Sequence, residues 1–110
     1  MINNALSTKC GLSEATIAKM ISVFAAYPQL SKVVLYVSRA KGDYRTGSNI
    51  DLTLFGEALS YTQLGDIAAQ LDDLLLPYTF DISLFKQIDN PDLIEHINRV
   101  GIVFYEPTYN

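Results

Sequence analysis

The stretch Val37-Ser38-Arg39-Ala40-Lys41-Gly42-Asp43-Tyr44-Arg45-Thr46-Gly47-Ser48-Asn49-Ile50-Asp51-Leu52 decides how this chain is read. Upstream it continues Lys32-Val33-Val34-Leu35-Tyr36, a run rich in β-branched residues behind the turn-like Pro28-Gln29-Leu30-Ser31, so Lys32 to Val37 reads as a buried strand. Ser38 to Lys41 reads as a short helical piece and Gly42 to Ser48 as a loop carrying two glycines. From Asn49 to Leu54 polar and apolar residues alternate, the period of a half-buried second strand.

Before this stretch, Leu12, Ala15, Ile17, Met20, Ile21, Phe24 and Ala25 recur at three- and four-residue steps, predicting a helix capped by Ser13 and ended before Pro28. After it, Ser60 caps a helix running to about Leu75, with Leu64, Ile67, Ala68, Leu71, Leu74 and Leu75 as one apolar stripe and Pro77 as its stop. Thr79 to Leu84 alternates again, a third strand with Asp81 and Ser83 on the face opposite Phe80, Ile82 and Leu84. Asn90-Pro91 supplies a cap and a first-turn proline for a helix over Leu93 to Val100, Gly101 stops it, and Ile102 to Tyr105 is a fourth strand. This order predicts an α/β (α+β) domain, a small mixed sheet flanked by helices. A helical connection makes strands two and three parallel, so that Asn49, Asp51, Asp81 and Ser83 share one edge or face.

The 110 residues predict a single domain over 1–110, burying about 60–70% of the surface its unfolded chain exposes. A net charge of −4 with only eight Lys+Arg excludes a protein that grips duplex nucleic acid by neutralising phosphates. An apolar fraction of 49% against 18% charged residues is the balance of a packed globule. The apolar runs Val33 to Val37 and Leu74 to Leu76 fall far short of the roughly 18–20 residues that span a bilayer, so no membrane partner is expected. A lone Cys10 and a start without a secretory pattern point to the cytoplasm. Cys10 reads as an incidental thiol, His96 as an exposed residue of the last helix, and Asp66, Asp72 and Asp73 as the wet face of the long helix.

A strand that ends in a small polar residue and turns straight into a helix presents backbone N–H groups and a positive dipole end, which suit phosphate oxygens; Ser38 stands at that turn. Arg39, Lys41 and Arg45 follow as candidates for phosphate or partner contacts, or as a solvated loop. Asn49 and Asp51 leave the same face of their strand, with Cα atoms roughly 6.5–7 Å apart. With Asp81 from a neighbouring strand they form an oxygen-rich set suited to Mg²⁺, which takes a few carboxylates together with substrate phosphates.

In these residues the chain resembles the minimal nucleotidyltransferases of the DNA polymerase beta-like superfamily. That family carries a Gly-Ser pair at the strand-to-helix turn, about ten residues, an Asp-x-Asp, and a third Asp on a later strand. Here Ser38, Asn49-Ile50-Asp51 and Thr79-Phe80-Asp81 fall on the frame, and the resemblance covers roughly residues 13–105. It implies ATP as nucleotide donor, held at Val37, Ser38 and Arg39, and Mg²⁺ held by Asn49, Asp51 and Asp81. It also implies a catalytic role for the last three, with Asp81 orienting or deprotonating the acceptor hydroxyl. Stand-alone members are often antitoxins that bind and adenylylate a helical HEPN-domain toxin, so the resemblance implies such a partner.

Two positions depart from the pattern: Val37 stands where the family has glycine, and Asn49 where it has its first metal-binding aspartate. Asn49 offers a carbonyl oxygen but no negative charge. Losing one electrostatic group aimed at a transition state costs about 10²–10³ in kcat as a scale. Two readings therefore stand side by side. One is a transferase of AMP from ATP to a partner's hydroxyl, weakened at Val37 and Asn49; the other is a catalytically impaired fold that acts as a protein-binding antitoxin module.

Overall fold

A computed structural model of the chain describes residues 12–36 and 49–107. The short helix expected at Ser38 to Lys41 and the loop to Ser48 lie outside the described residues, as does Cys10.

Helix α1 spans Glu14–Phe24, and the Ser13 hydroxyl caps it by accepting from the Thr16 N–H at 3.1 Å. It buries Ile17, Met20 and Phe24 of the stripe expected from the sequence together with Val23, while Ala15 and Ala25 are exposed. Strand β1 is Lys32–Leu35 and β2 is Asn49–Phe55. Helix α2, Tyr61–Asp73, opens on a capping box in which Ser60 and Gln63 each satisfy the other's backbone N–H. Leu75, just beyond it, has a φ of 57° and is 89% exposed, standing where helices usually place a glycine. Strand β3, Thr79–Leu84, runs into a single 3₁₀ turn at Phe85–Gln87. Helix α3, Pro91–Val100, is capped by the Asn90 side-chain carbonyl, which accepts from the N–H groups of Asp92 and Leu93. Strand β4, Ile102–Tyr105, follows.

The strands form one sheet in the order β3-β2-β1-β4. β1 pairs antiparallel with both β2 and β4, with an irregularity between Val33 and Val34 on the β4 side, whereas β2 and β3 are parallel. The α2 crossover thus produces the parallel pair expected from the sequence, within a mixed sheet. No helix among the described residues is long and apolar enough to cross a membrane.

Alternation along the strands sorts the side chains into two layers. Val33, Leu35, Ile50, Leu52, Leu54 and Leu84 face α1 and α2 and pack on Ile17, Met20, Phe24, Ile67 and Leu71. The opposite face carries a smaller cluster of Val34, Tyr36 and Ile97, flanked by Phe55, Phe85, Ile88 and Leu93, so α3 lies on that side. At one end of this second face Phe55 and Phe85 stack at 4.3 Å, with the Lys32 ammonium 4.5 Å above the Phe55 ring. The polar residues of β2 and β3 occupy the other end.

Gly101 ends α3 for a reason other than the left-handed turn that a terminal glycine suggests. Its φ of −64° and ψ of 145° are open to any residue. A Cβ there would press on the Ile97 carbonyl and stand 2.6 Å from Val34 Cγ1, so the glycine lets α3 close onto β1. At Gly65, on the exposed side of α2, an added methyl would meet nothing within 4 Å. Urea unfolding of two variants separates these roles: Gly101→Ala lowers stability by about 1–3 kcal/mol through overpacking, whereas Gly65→Ala raises it by about 0.5–1 kcal/mol by improving a helix interior. Equal effects of the two substitutions would contradict this packing.

Candidate active site

The register of β2 against β3 builds the site. Asn49 lies opposite Thr79, Asp51 opposite Asp81, and Thr53 opposite Ser83. Each strand therefore presents an amide or hydroxyl, a carboxylate and a hydroxyl in turn on the same face, and the apolar residues between them go to the core. The repeat of that spacing in two strands, Asn49-x-Asp51-x-Thr53 and Thr79-x-Asp81-x-Ser83, is the sequence signal that brings Thr79 and Thr53 into the site beside the expected residues.

Asp51 is only 8% exposed and Thr53 is fully buried, while Asp81 on the edge strand is exposed. The Asn49 Nδ2–H donates to Asp51 Oδ1 at 2.7 Å, and the Thr79 hydroxyl donates to Asn49 Oδ1 at 3.0 Å. The amide has one workable orientation: turned over, its oxygen would face the carboxylate at the same distance and repel it. Farther along, the Ser83 hydroxyl donates to Thr53 Oγ1 at 3.3 Å.

Tyr36 closes the site from the β1 side, and it is not evident in the sequence because Lys32 to Val37 reads there as uniformly buried. Its N–H continues the β1–β2 ladder to the Asp51 carbonyl at 3.1 Å. Its side chain is buried on the polar face, where the phenol hydrogen-bonds with Ser83 and feels both Asp51 and Asp81. Burial, reinforced by the two carboxylates and partly offset by Ser83, raises the phenol above its ordinary value of 10.0. The His96 ring meets Tyr36 edge-on with centroids 6.5 Å apart, so His96 is half-buried against the site's aromatic wall, contrary to the exposed position expected for it. Asp66, Asp72 and Asp73 are exposed on α2, as expected.

Val37, Ser38 and Arg39 lie outside the described residues. Among the described residues no group of three or more His, Cys, Asp and Glu is placed to hold a metal ion. Asp51 and Asp81, opposite each other in the register, are the carboxylates that would hold a divalent cation, with water or phosphate oxygens completing its shell.

Known proteins share this arrangement of elements. The model of the family "Polymerase beta, Nucleotidyltransferase" matches residues 18–110. No curated protein matches the chain. Among solved structures, the fold is similar to a chain in the crystal structure of the toxin-antitoxin MntA-HepT, with a TM-score of 0.64 and 15% identity over 86% of this chain and 74% of that one. A chain in a toxin-antitoxin structure with AMP-PNP gives 0.66 and 18% over 83% and 73%. A chain in the complex of a tri-AMPylated Shewanella oneidensis HEPN toxin with MNT antitoxin gives 0.62 and 16% over 86% and 72%. At these identities the likeness is one of fold.

The raised phenol of Tyr36 has a measurable consequence. Above pH 10 the unfolded chain releases this proton while the folded chain keeps it, so the folded state binds more protons and loses stability as pH rises. Denaturant titrations of wild type and Tyr36→Phe should differ by a constant amount below about pH 10, with wild type losing ground to the variant above it. A difference that stays constant well above the ordinary phenol range would show that the phenol is not held in this environment.

Proposed function

The chain belongs to the polymerase beta nucleotidyltransferase family, and on that premise we propose that it transfers AMP from ATP to a hydroxyl of a partner protein, acting as the antitoxin of a HEPN-type toxin. The single observation that carries the reading is the registered pair Asp51 and Asp81 on one face of a family fold. The HEPN toxin and MNT antitoxin of the structurally similar complex, with its tri-AMPylated toxin, support the choice of partner and of the group transferred. The AMP-PNP of a second similar structure supports ATP as donor.

In this reading Asp51 and Asp81 hold Mg²⁺, which when bound neutralises the charge of the phosphates and of the transition state. Asp51 is buried and fixed by Asn49, so its carboxylate is preorganised rather than recruited from solvent. Asp81 lies on the exposed edge strand, where a macromolecular acceptor can reach it. It orients the acceptor hydroxyl and takes its proton as the oxygen bonds to the α-phosphorus and the bond to the pyrophosphate oxygen breaks. Val37, Ser38 and Arg39 contribute the phosphate-binding turn expected from the sequence.

A second reading is favoured by one observation, the Asn49 amide directed at Asp51. It makes the chain a protein-binding antitoxin that keeps the fold and the partner surface while transferring nucleotide slowly or not at all.

Incubation with α-labelled ATP, Mg²⁺ and the HEPN-type protein separates the two. The transferase reading expects label on the partner, reduced at least about 10²-fold by Asp51→Ala. Neutralisation of the toxin without label, and unaffected by Asp51→Ala, sets the transferase reading aside in favour of the binding module.

A further inference from the structure

We propose that Thr79 and Asn49 form a built-in clasp that positions Asp51 and limits this site to one divalent cation. Thr79 is a positioning residue: its hydroxyl bonds Asn49, and it acts on Asp51 through that amide. The identity of the cation rests on the nucleotidyl-transfer reading above; the clasp itself rests on the hydrogen bonds.

The side-chain oxygen of Asn49 is the deciding atom. An asparagine can ligate a cation only through that oxygen, because its amide nitrogen carries two hydrogens and no available lone pair. Here the oxygen accepts from the Thr79 hydroxyl at 3.0 Å, and the nitrogen donates to Asp51 at 2.7 Å. The oxygen keeps a second lone pair, but it is turned toward Thr79 while the nitrogen takes the side facing Asp51, so sharing a cation with Asp51 means turning the amide over and giving up both bonds. Thr79 can hold the amide this way because it lies opposite Asn49 in the β2–β3 register, on the same face. The oxygen that a second ion shared with Asp51 would need is therefore held facing away from the carboxylate, while the charge that would attract the ion is missing from the side chain altogether. Asp51 gains in exchange a donor supplied by the chain, at a position where burial makes a donor matter.

Valine at 79 keeps the shape and the β-branched strand preference of threonine and removes only the hydroxyl. Mn²⁺ is the probe, and free ion is counted by its paramagnetic resonance during titration of wild type, Thr79→Val and Asn49→Asp without nucleotide. The expected result is one Mn²⁺ per chain for wild type, two for Asn49→Asp, and one for Thr79→Val with affinity lowered about fivefold, the scale of one lost hydrogen bond. Two ions on wild type, none on wild type, or unchanged or tighter binding by Thr79→Val overturns the proposal. The outcome is separable from that of the transfer assay: one ion weakened by Thr79→Val, with no AMP transferred, leaves the clasp standing and removes the transferase. AMP transfer by a wild type that binds two ions does the reverse.

Discussion

The in-register parallel pairing of β2 and β3 is the constraint on which the rest of this structure depends. It sets Asp51 opposite Asp81, an arrangement that electrostatics alone opposes. The opposing core decides the contest. Leu52 and Leu54 are essentially fully buried and Leu84 nearly so, each contributing about 1.5–3 kcal/mol, against about 0.2–1 kcal/mol for a like-charged cross-strand pair. A slip by one residue would turn these leucines to the polar face, so the hydrophobic layer under α1 and α2 fixes the carboxylates as a by-product of fixing itself. The chemistry on one face of the sheet is held in place by packing on the other.

What could be read from the sequence follows the same logic. Ser13, Ser60 and Asn90 cap helices through local hydrogen bonds, and β2 and β3 alternate strictly, so their elements and faces were legible within a few residues. The parallel β2–β3 pair followed from its helical crossover. The antiparallel placement of β1 between β2 and β4 rests on contacts distant in sequence, and no local pattern announces it. Tyr36 was hidden for a related reason: in a strand buried on both faces, hydrophobicity does not reveal which residues face the site. Gly101 shows a correct position with a different cause, since the turn it seemed to supply is extended backbone and the missing Cβ makes room for Val34.

The second face of the sheet is divided between two kinds of surface. Near Phe55 and Phe85 it is aromatic and covered by a lysine, and around Val34 and Ile97 it is sealed by α3. Tyr36 stands at the border, its ring against His96 on the α3 side and its hydroxyl among Ser83, Asp51 and Asp81. An amphipathic residue suits that boundary, because its ring continues the apolar layer while its hydroxyl satisfies a buried polar neighbour. Together with the fit of Gly101 against Val34, this links the docking of α3 to the rigidity of the site. A substitution that lifts α3 therefore reaches the carboxylates through Tyr36, although α3 supplies none of them.

Asn49 shows how the charge of such a site can be managed from within. A carboxylate in its place would stand beside Asp51 at hydrogen-bond distance and near Asp81, giving three negative groups on two strands, one of them buried. Without cations that arrangement carries like-charge repulsion around a buried carboxylate, which raises the cost of holding it. The amide lowers that cost: it removes one charge and supplies a donor to Asp51, and Thr79 satisfies the remaining oxygen. The net charge of −4 is thus less concentrated at the site than the frame of the family would make it. A chain built in this way can hold its acidic face in working shape before any ion arrives, with the fold secured by the leucines beneath and the carboxylate geometry by the amide beside them.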